Sequence, residues 1–158
     1  MATIFWDAEG ILLIDYMPKN TKNTGQYYAN LLRQLHDSIK QKRRGKIRRG
    51  VLLLHDNAPV HKSRLSMAAI HECGFQLVNH PAFSRDLAPS DYFLFGNLKQ
   101  HLRGTRCRDD SEVQSAVEEY FDGCDKSFFL NGLKQLKSQC EKCIEVDVMF
   151  NINKASLF

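Results

Sequence analysis

The chain has 158 residues, a length that accommodates one ordinary domain with a sizeable core, and 43% hydrophobic with 25% charged residues is an average globular composition. Its longest apolar runs, such as Ile11 to Ile14 and Val51 to Leu54, are far short of the roughly 20 residues a membrane span needs, which excludes an integral membrane helix. Net charge is +4 but polarised: seven of the ten residues from Lys40 to Arg49 are basic, whereas Arg108 to Asp125 carries seven acids against one base. The first residues lack the basic flank and apolar core of a signal peptide, and five irregularly spaced cysteines read as reduced intracellular thiols.

In chain order, Thr3 to Trp6 and Ile11 to Met17 are β-favouring runs around the turn signal Asp7-Ala8-Glu9-Gly10, which predicts a hairpin. Thr24 is placed to cap a helix whose apolar positions Tyr28, Leu31, Leu32, Leu35 and Ile39 share one face, and which stops near Gly45. Val51 to Leu54 reads as a strand buried on both faces, followed by the polar His55-Asp56-Asn57. Ser63 caps a helix to Cys73, Gly74 closes it, and Phe75 to Val78 is the next strand, a β-α-β order implying parallel neighbours. In such sheets sites form beyond the strands' C-terminal ends, which points to Asp56 and the His80 to Asp91 segment. Ser90 is placed to cap a helix from Asp91 with Leu94, Phe95, Leu98 and Leu102 on one face. Asp109 or Asp110 opens another, carrying Val113, Ala116, Val117, Tyr120 and Phe121, and a last helix from about Ser127 carries Phe129, Leu133, Leu136, Cys140, Cys143 and Ile144. The whole is one mixed α/β domain.

Cys140-x-x-Cys143 lacks a second ligand pair and falls on that last apolar stripe, so it reads as core rather than as a zinc or redox site. Asp56 and Asp91 are the stronger candidates. A carboxylate closing a buried strand needs a cation or strong hydrogen bonds, and one in a first helical turn is stabilised by the helix dipole. Two such groups suit divalent metals, and paired ions activate water and stabilise the leaving oxygen in phosphodiester cleavage. Phosphoryl transfer through an aspartyl phosphate also uses an aspartate after a strand, but Ala58 stands where its usual second aspartate falls.

The strings Leu52-Leu53-Leu54-His55-Asp56-Asn57-Ala58 and His80-Pro81-Ala82-Phe83-Ser84-Arg85-Asp86-Leu87-Ala88-Pro89-Ser90-Asp91-Tyr92-Phe93-Leu94-Phe95 resemble two blocks of the mariner-type DNA transposases. The 34 residues between Asp56 and Asp91 match that family's spacing of its second and third catalytic aspartates. The Phe5-Trp6-Asp7 hairpin and the Gln139 to Ile144 segment are similar to the same family, so the likeness covers residues 1 to 147, with 148 to 158 as a divergent tail. The resemblance implies an RNase H-like mixed sheet flanked by helices, here lacking its first strand, with Mg²⁺ or Mn²⁺ held by carboxylates for DNA cleavage and strand transfer. It implies Asp56 and Asp91 as catalytic metal ligands, DNA as partner, and dimers or pairing with full-length mariner transposases. A domain of this family also occurs fused to a histone methyltransferase, and no methyltransferase motif is visible here.

The family's first catalytic aspartate lies upstream of the hairpin, outside these 158 residues, so the expectation is a weakened metal site, by roughly 10²-fold, and lost transposition. Asp7 and Asp15 are poor substitutes, since a turn residue and one on the next strand should not share a crevice with Asp56. His55 and His61 flank Asp56 as neighbouring donors, with His55 preferred, and Asn57 is placed to orient the carboxylate. The cations Lys42, Arg43, Arg44, Lys46, Arg48, Arg49 and Arg85 are the expected DNA contacts, and the basic run with the DNA substrate suggests a nuclear protein. The alternative is a non-catalytic DNA-binding or dimerisation module.

Overall fold

The computed structural model describes residues 1–78 and 87–155, with side chains described as far as Glu145 in the last helix. The chain divides into two compact units, Met1–Ser84 and Arg85–Phe158.

The first unit opens with the expected hairpin, β1 (Ala2–Asp7) antiparallel to β2 (Gly10–Tyr16). Its turn is set by Asp7, whose Oδ1 accepts the Glu9 N–H at 2.9 Å. The register slips between Phe5↔Leu13 and Trp6↔Ile11, leaving Leu12 opposite no partner. That bulge turns the Leu12 carbonyl toward the helix that follows, where the Ser38 hydroxyl and Lys42 Nζ donate to it. Backbone polarity left over by the bulge is thus satisfied by side chains.

Helix α1 (Gly25–Lys42) begins where Thr24 Oγ1 accepts the Tyr27 N–H at 3.2 Å, a side-chain cap of the kind the sequence predicts. Tyr28, Leu31, Leu32, Leu35 and Ile39 all lie in the core, each no more than 3% exposed. Burial of a leucine such as Leu32 contributes about 1.5–3 kcal/mol, which makes this face the organising surface of the unit. The helix stops at Arg43, and Gly45, at φ 79°, supplies the left-handed residue that starts the short α2 (Lys46–Arg49).

Strand β3 (Val51–Leu54) pairs in parallel with β4 (Phe75–Val78), joined by α3 (Arg64–Glu72), as the β-α-β order predicts. Leu53, Phe75, Ala69, Ile70 and Cys73 join Leu12 and the α1 stripe in one core. The expectation that β3 is buried on both faces fails: Leu53 is 5% exposed but Leu52 is 70% exposed. Successive strand residues point to opposite faces, and in this unit the helices and core cover the Leu53 side. The described strands form two separate ladders, β1-β2 and β3-β4. The N-termini of α1 and α3 approach closely: a Cβ on Gly25 would lie 2.1 Å from Ser63 Oγ. Ser63 caps α3, and the fully buried Ser66 donates to the Val60 carbonyl and approaches the Gly25 carbonyl at 3.4 Å.

The second unit is helical in its described part. Its first turn, Ser90–Leu94, is π-helical, with the Phe95 N–H donating to the Ser90 carbonyl, and α4 (Phe95–Leu102) continues it. Ser90 does not cap this helix, contrary to expectation; it lies within the opening turn, which has no side-chain cap and follows Pro89. Helix α5 (Asp110–Asp122) is capped by Asp109, whose carboxylate accepts the Glu112 N–H at 2.9 Å. Helix α6 (Lys126–Ala155) starts at Asp125, which accepts the Phe128 N–H. Leu94, Leu98, Val117, Phe121 and Phe129 are buried, and Phe93 meets Phe128 at a ring separation of 4.8 Å. The core reading of the Cys-x-x-Cys pair is corrected in part, because Cys140 is half-buried but Cys143 is exposed, as is Ile144. The apolar stripe of α6 is covered at its start and not at that point. All five cysteines are free, and among the described residues no helix is long and apolar enough to cross a membrane.

Candidate functional site around Asp56

Asp56 follows β3 by two residues, in the segment between the parallel strand and α3. Its carboxylate is not buried as a strand-end position would suggest: the side chain is 61% exposed. Oδ1 accepts the Ala58 N–H at 3.1 Å and lies 2.7 Å from His61 Nδ1, and that same nitrogen is 3.3 Å from the Asp56 carbonyl. Among the described residues, the Ala58 and His61 contacts both fall on Oδ1. Partial burial disfavours the charge, but the Ala58 N–H, the His61 imidazole and the nearby His55 outweigh it and hold the carboxyl below its usual range. Asp56 is therefore ionised at neutral pH.

Behind the carboxylate stands an aromatic stack. The rings of His55 and His61 are parallel within 10°, with centroids 4.9 Å apart, and the buried Tyr28 ring lies 4.2 Å from His61. The Tyr28 hydroxyl is 2.9 Å from His55 Nδ1. Burial first, and the charge of Asp56 second, push the Tyr28 hydroxyl well above its ordinary value, so it stays protonated and donates to or accepts from His55 Nδ1 according to the His55 tautomer. Of the two histidines, adjacency in sequence favours His55 as the neighbour of Asp56. The structure puts His61 on the carboxylate and His55 on Tyr28. The signal available in sequence was a histidine five residues after the aspartate, together with a polar-tipped aromatic on the apolar stripe of α1.

Asp91 lies in the second unit, in the π-helical turn, with its N–H donated to the Ala88 carbonyl at 2.9 Å and its side chain exposed. Arg85 and the rest of 79–86 lie outside the described residues. Among the described residues no group of three or more His, Cys, Asp or Glu converges as a metal cluster. The two weaker carboxylates are already engaged: Asp7 is held by Arg43 and Lys46, and Asp15 accepts the Tyr27 hydroxyl.

The basic run divides by role. Arg43 Nε and Nη2 each lie 3.0 Å from an Asp7 oxygen, Lys46 Nζ lies 2.7 Å from Asp7 Oδ2, and Lys42 Nζ holds the Leu12 carbonyl. These three fasten the hairpin to the end of α1. Arg44, Arg48 and Arg49 are exposed. With Glu9, the side chains of Lys42, Arg43, Arg44, Lys46 and Arg49 line a hollow of about 230 Å³.

Residues 1–49 match the family described as "Transposase (partial DDE domain)". Over 150 residues the chain is 31% identical to the mariner Mos1 transposase of Drosophila mauritiana, covering 93% of this chain and 43% of that protein. It is 28% identical over 146 residues to the human histone-lysine N-methyltransferase SETMAR, covering 92% of this chain and 21% of that one. The solved Mos1 catalytic domain with raltegravir and Mg superposes with a TM-score of 0.86 at 29% identity, over 91% of this chain and 73% of that chain, and its Mn counterpart does the same. A Mos1 paired-end complex with the left transposon end matches at TM-score 0.84 and 30% identity, over 91% and 42%. The chain belongs with the mariner DDE transposase domains.

Its fold is accordingly RNase H-like, and the chain spans less than half the length of the Mos1 transposase and of SETMAR. The donor chemistry of this mariner domain suits the Mg and Mn found with Mos1. Asp56 and Asp91 are hard oxygen donors, which such ions prefer over sulfur or imidazole, and both are exposed at element ends.

Proposed function

We propose that this mariner-derived domain retains a weak two-carboxylate metal site, Asp56 with Asp91, directed at the phosphodiester backbone of DNA. One observation carries the reading: Asp56 is ionised and anchored through Oδ1 by two donors, while its side chain is 61% exposed. That is a carboxylate held for use as a donor. Support comes also from the mariner spacing of Asp56 and Asp91 and from Mos1 having been solved with Mg, with Mn and with a transposon end.

Within this reading Asp56 and Asp91 each present an oxygen to a divalent ion, which when bound supplies a lowered water pKa and stabilises charge on the leaving oxygen. Ala58 and His61 orient Asp56, His55 helps to hold its charge, and Asn57 adjoins it in the chain. Arg44, Arg48 and Arg49 offer exposed cations for phosphate contacts, in a nuclear setting. The mariner resemblance implies three carboxylates and these 158 residues match two of them. By themselves they are expected to bind metal weakly and not to transpose, and a carboxylate supplied from outside them would restore affinity.

The test is nicking of supercoiled plasmid by the 158-residue chain in Mn²⁺, with Asp56→Asn as control. Nicking that vanishes in the variant supports the reading; nicking that persists in it refutes it. A second reading, a non-catalytic DNA-binding module, is favoured by the exposed arginines. It predicts affinity that falls steeply with salt, with a shallower slope after Arg44, Arg48 and Arg49 are changed to alanine and no response to Asp56→Asn.

A further inference from the structure

The sequence offers His55 and His61 as neighbouring donors to Asp56 but gives Tyr28 no part in the site, and the structure packs all three rings together behind the carboxylate. Tyr28 is 2% exposed and belongs to the core of α1, so its ring and hydroxyl are fixed by packing. His55 is held at Nδ1 by that hydroxyl, and His61 is packed against both rings, 4.9 Å from His55 and 4.2 Å from Tyr28. The His61 side chain is only 18% exposed, whereas the carboxylate it touches is 61% exposed. A chain of contacts therefore runs from the rigid core to one oxygen of an otherwise solvent-facing side chain. An exposed aspartate samples several rotamers, and a bond from a packed imidazole removes that freedom. Donors placed behind a metal-binding carboxylate fix its orientation and typically change metal affinity 10–100-fold when removed.

We propose that His61 is the positioning residue of Asp56: its Nδ1–H anchors Oδ1, and the stack on His55 and Tyr28 fixes the ring, so that Oδ2 is presented outward as the donor atom. The inference rests on the proposed metal site and deepens it, assigning to the Asp-x-x-x-x-His spacing the task of aiming the carboxylate. It requires a hydrogen-bond donor at the His61 position, not merely a ring. The two requirements separate cleanly, because phenylalanine keeps the ring and loses the donor, while asparagine keeps a donor near the Nδ1 position and loses the ring.

The experiment is Mn²⁺ titration of the full 158-residue chain, read from the electron paramagnetic resonance signal of free Mn²⁺. It is run on the parent, His61→Phe, His61→Asn and Asp56→Asn, with circular dichroism confirming the fold of each. The expected result is at least tenfold weaker binding for His61→Phe, a smaller loss for His61→Asn, which keeps the donor without the stacked ring, and the largest loss for Asp56→Asn. Where His61→Phe does not fold, His61→Leu serves as the donorless variant. Parental affinity in a folded donorless variant, with Asp56→Asn still weakened, would overturn the positioning role while leaving the metal site intact. The positioning role falls equally if His61→Asn binds as poorly as His61→Phe. No loss in Asp56→Asn would instead remove the metal-site reading on which the inference stands.

Discussion

Asp7 and Asp56 lie in the same unit, both carry a charge stabilised by basic neighbours, and they differ in how many of their oxygens are occupied. Asp7 is 17% exposed; Arg43 reaches both its oxygens, Lys46 takes Oδ2 and the Glu9 N–H takes Oδ1. Burial raises its proton affinity, but Arg43 and Lys46 more than compensate and the carboxyl sits below its ordinary value. Asp56 is 61% exposed and, among the described residues, receives its contacts from Ala58 and His61 both on Oδ1. A saturated carboxylate is a fastener, here between the β1-β2 turn and the end of α1, whereas a half-saturated one still has a lone-pair face to offer. The contrast explains why the acid of the Phe5-Trp6-Asp7 hairpin is structural and the acid of the His55-Asp56-Asn57 segment is the site candidate.

The comparison is broken most forcefully by Asp7→Asn. It strands Arg43, whose side chain is 13% exposed, beside a neutral amide. We expect a loss of about 2–4 kcal/mol, seen as a thermal midpoint lower by roughly 5–10 °C, with Mn²⁺ affinity unchanged below that midpoint. A smaller effect is expected from Gly25→Ala, which forces a methyl group to within 2.1 Å of Ser63 Oγ at the α1–α3 approach. Overpacking of this sort costs about 1–3 kcal/mol, measurable by urea denaturation, and an unchanged midpoint would mean that the two helices part readily.

Asp56→Asn is expected to do the reverse of Asp7→Asn: less than about 1 kcal/mol of stability, as for exposed substitutions generally, but a large loss of Mn²⁺ binding. Equal destabilisation by the two variants would erase the distinction between fastener and donor. The smallest effect concerns pH. Because the folded value of Asp7 is depressed, its contribution is fully present above the ordinary carboxyl value of 3.8 and is lost as pH falls through the lowered folded value. Acid unfolding monitored by circular dichroism should therefore show a stability loss between the two values that Asp7→Asn lacks.

Much of the fold was legible because it is written in local pattern. The Thr24 cap, the α1 stripe, the Asp7-to-Gly10 turn and the β3-α3-β4 order follow from spacing and capping chemistry. Less legible were features that depend on what lies across space. The four apolar residues of β3 gave no sign that Leu52 would be 70% exposed, since a continuous apolar run reads the same whether one face or two are covered. Cys143 and Ile144 fit the helical period of α6, yet period alone does not say where along a helix its partner ends. The π-helical turn at Asp91 leaves no mark in the apolar spacing either.

By itself the sequence determined the mixed α/β class, the element order and the family likeness, and it put forward the pair Asp56 and Asp91 as candidates, because periodicity, caps and motif spacing are properties of neighbouring residues. Tertiary structure alone decided which cations of the Lys40–Arg49 run are spent on Asp7 and the Leu12 carbonyl, and which histidine reaches Asp56. Those pairings join residues 30 to 39 positions apart for the cations, and for Tyr28 and His55 27 positions apart. Partners so distant along the chain meet only once packing against α1 has fixed where each backbone runs, and hydrogen bonds, being short and directional, are settled by that placement.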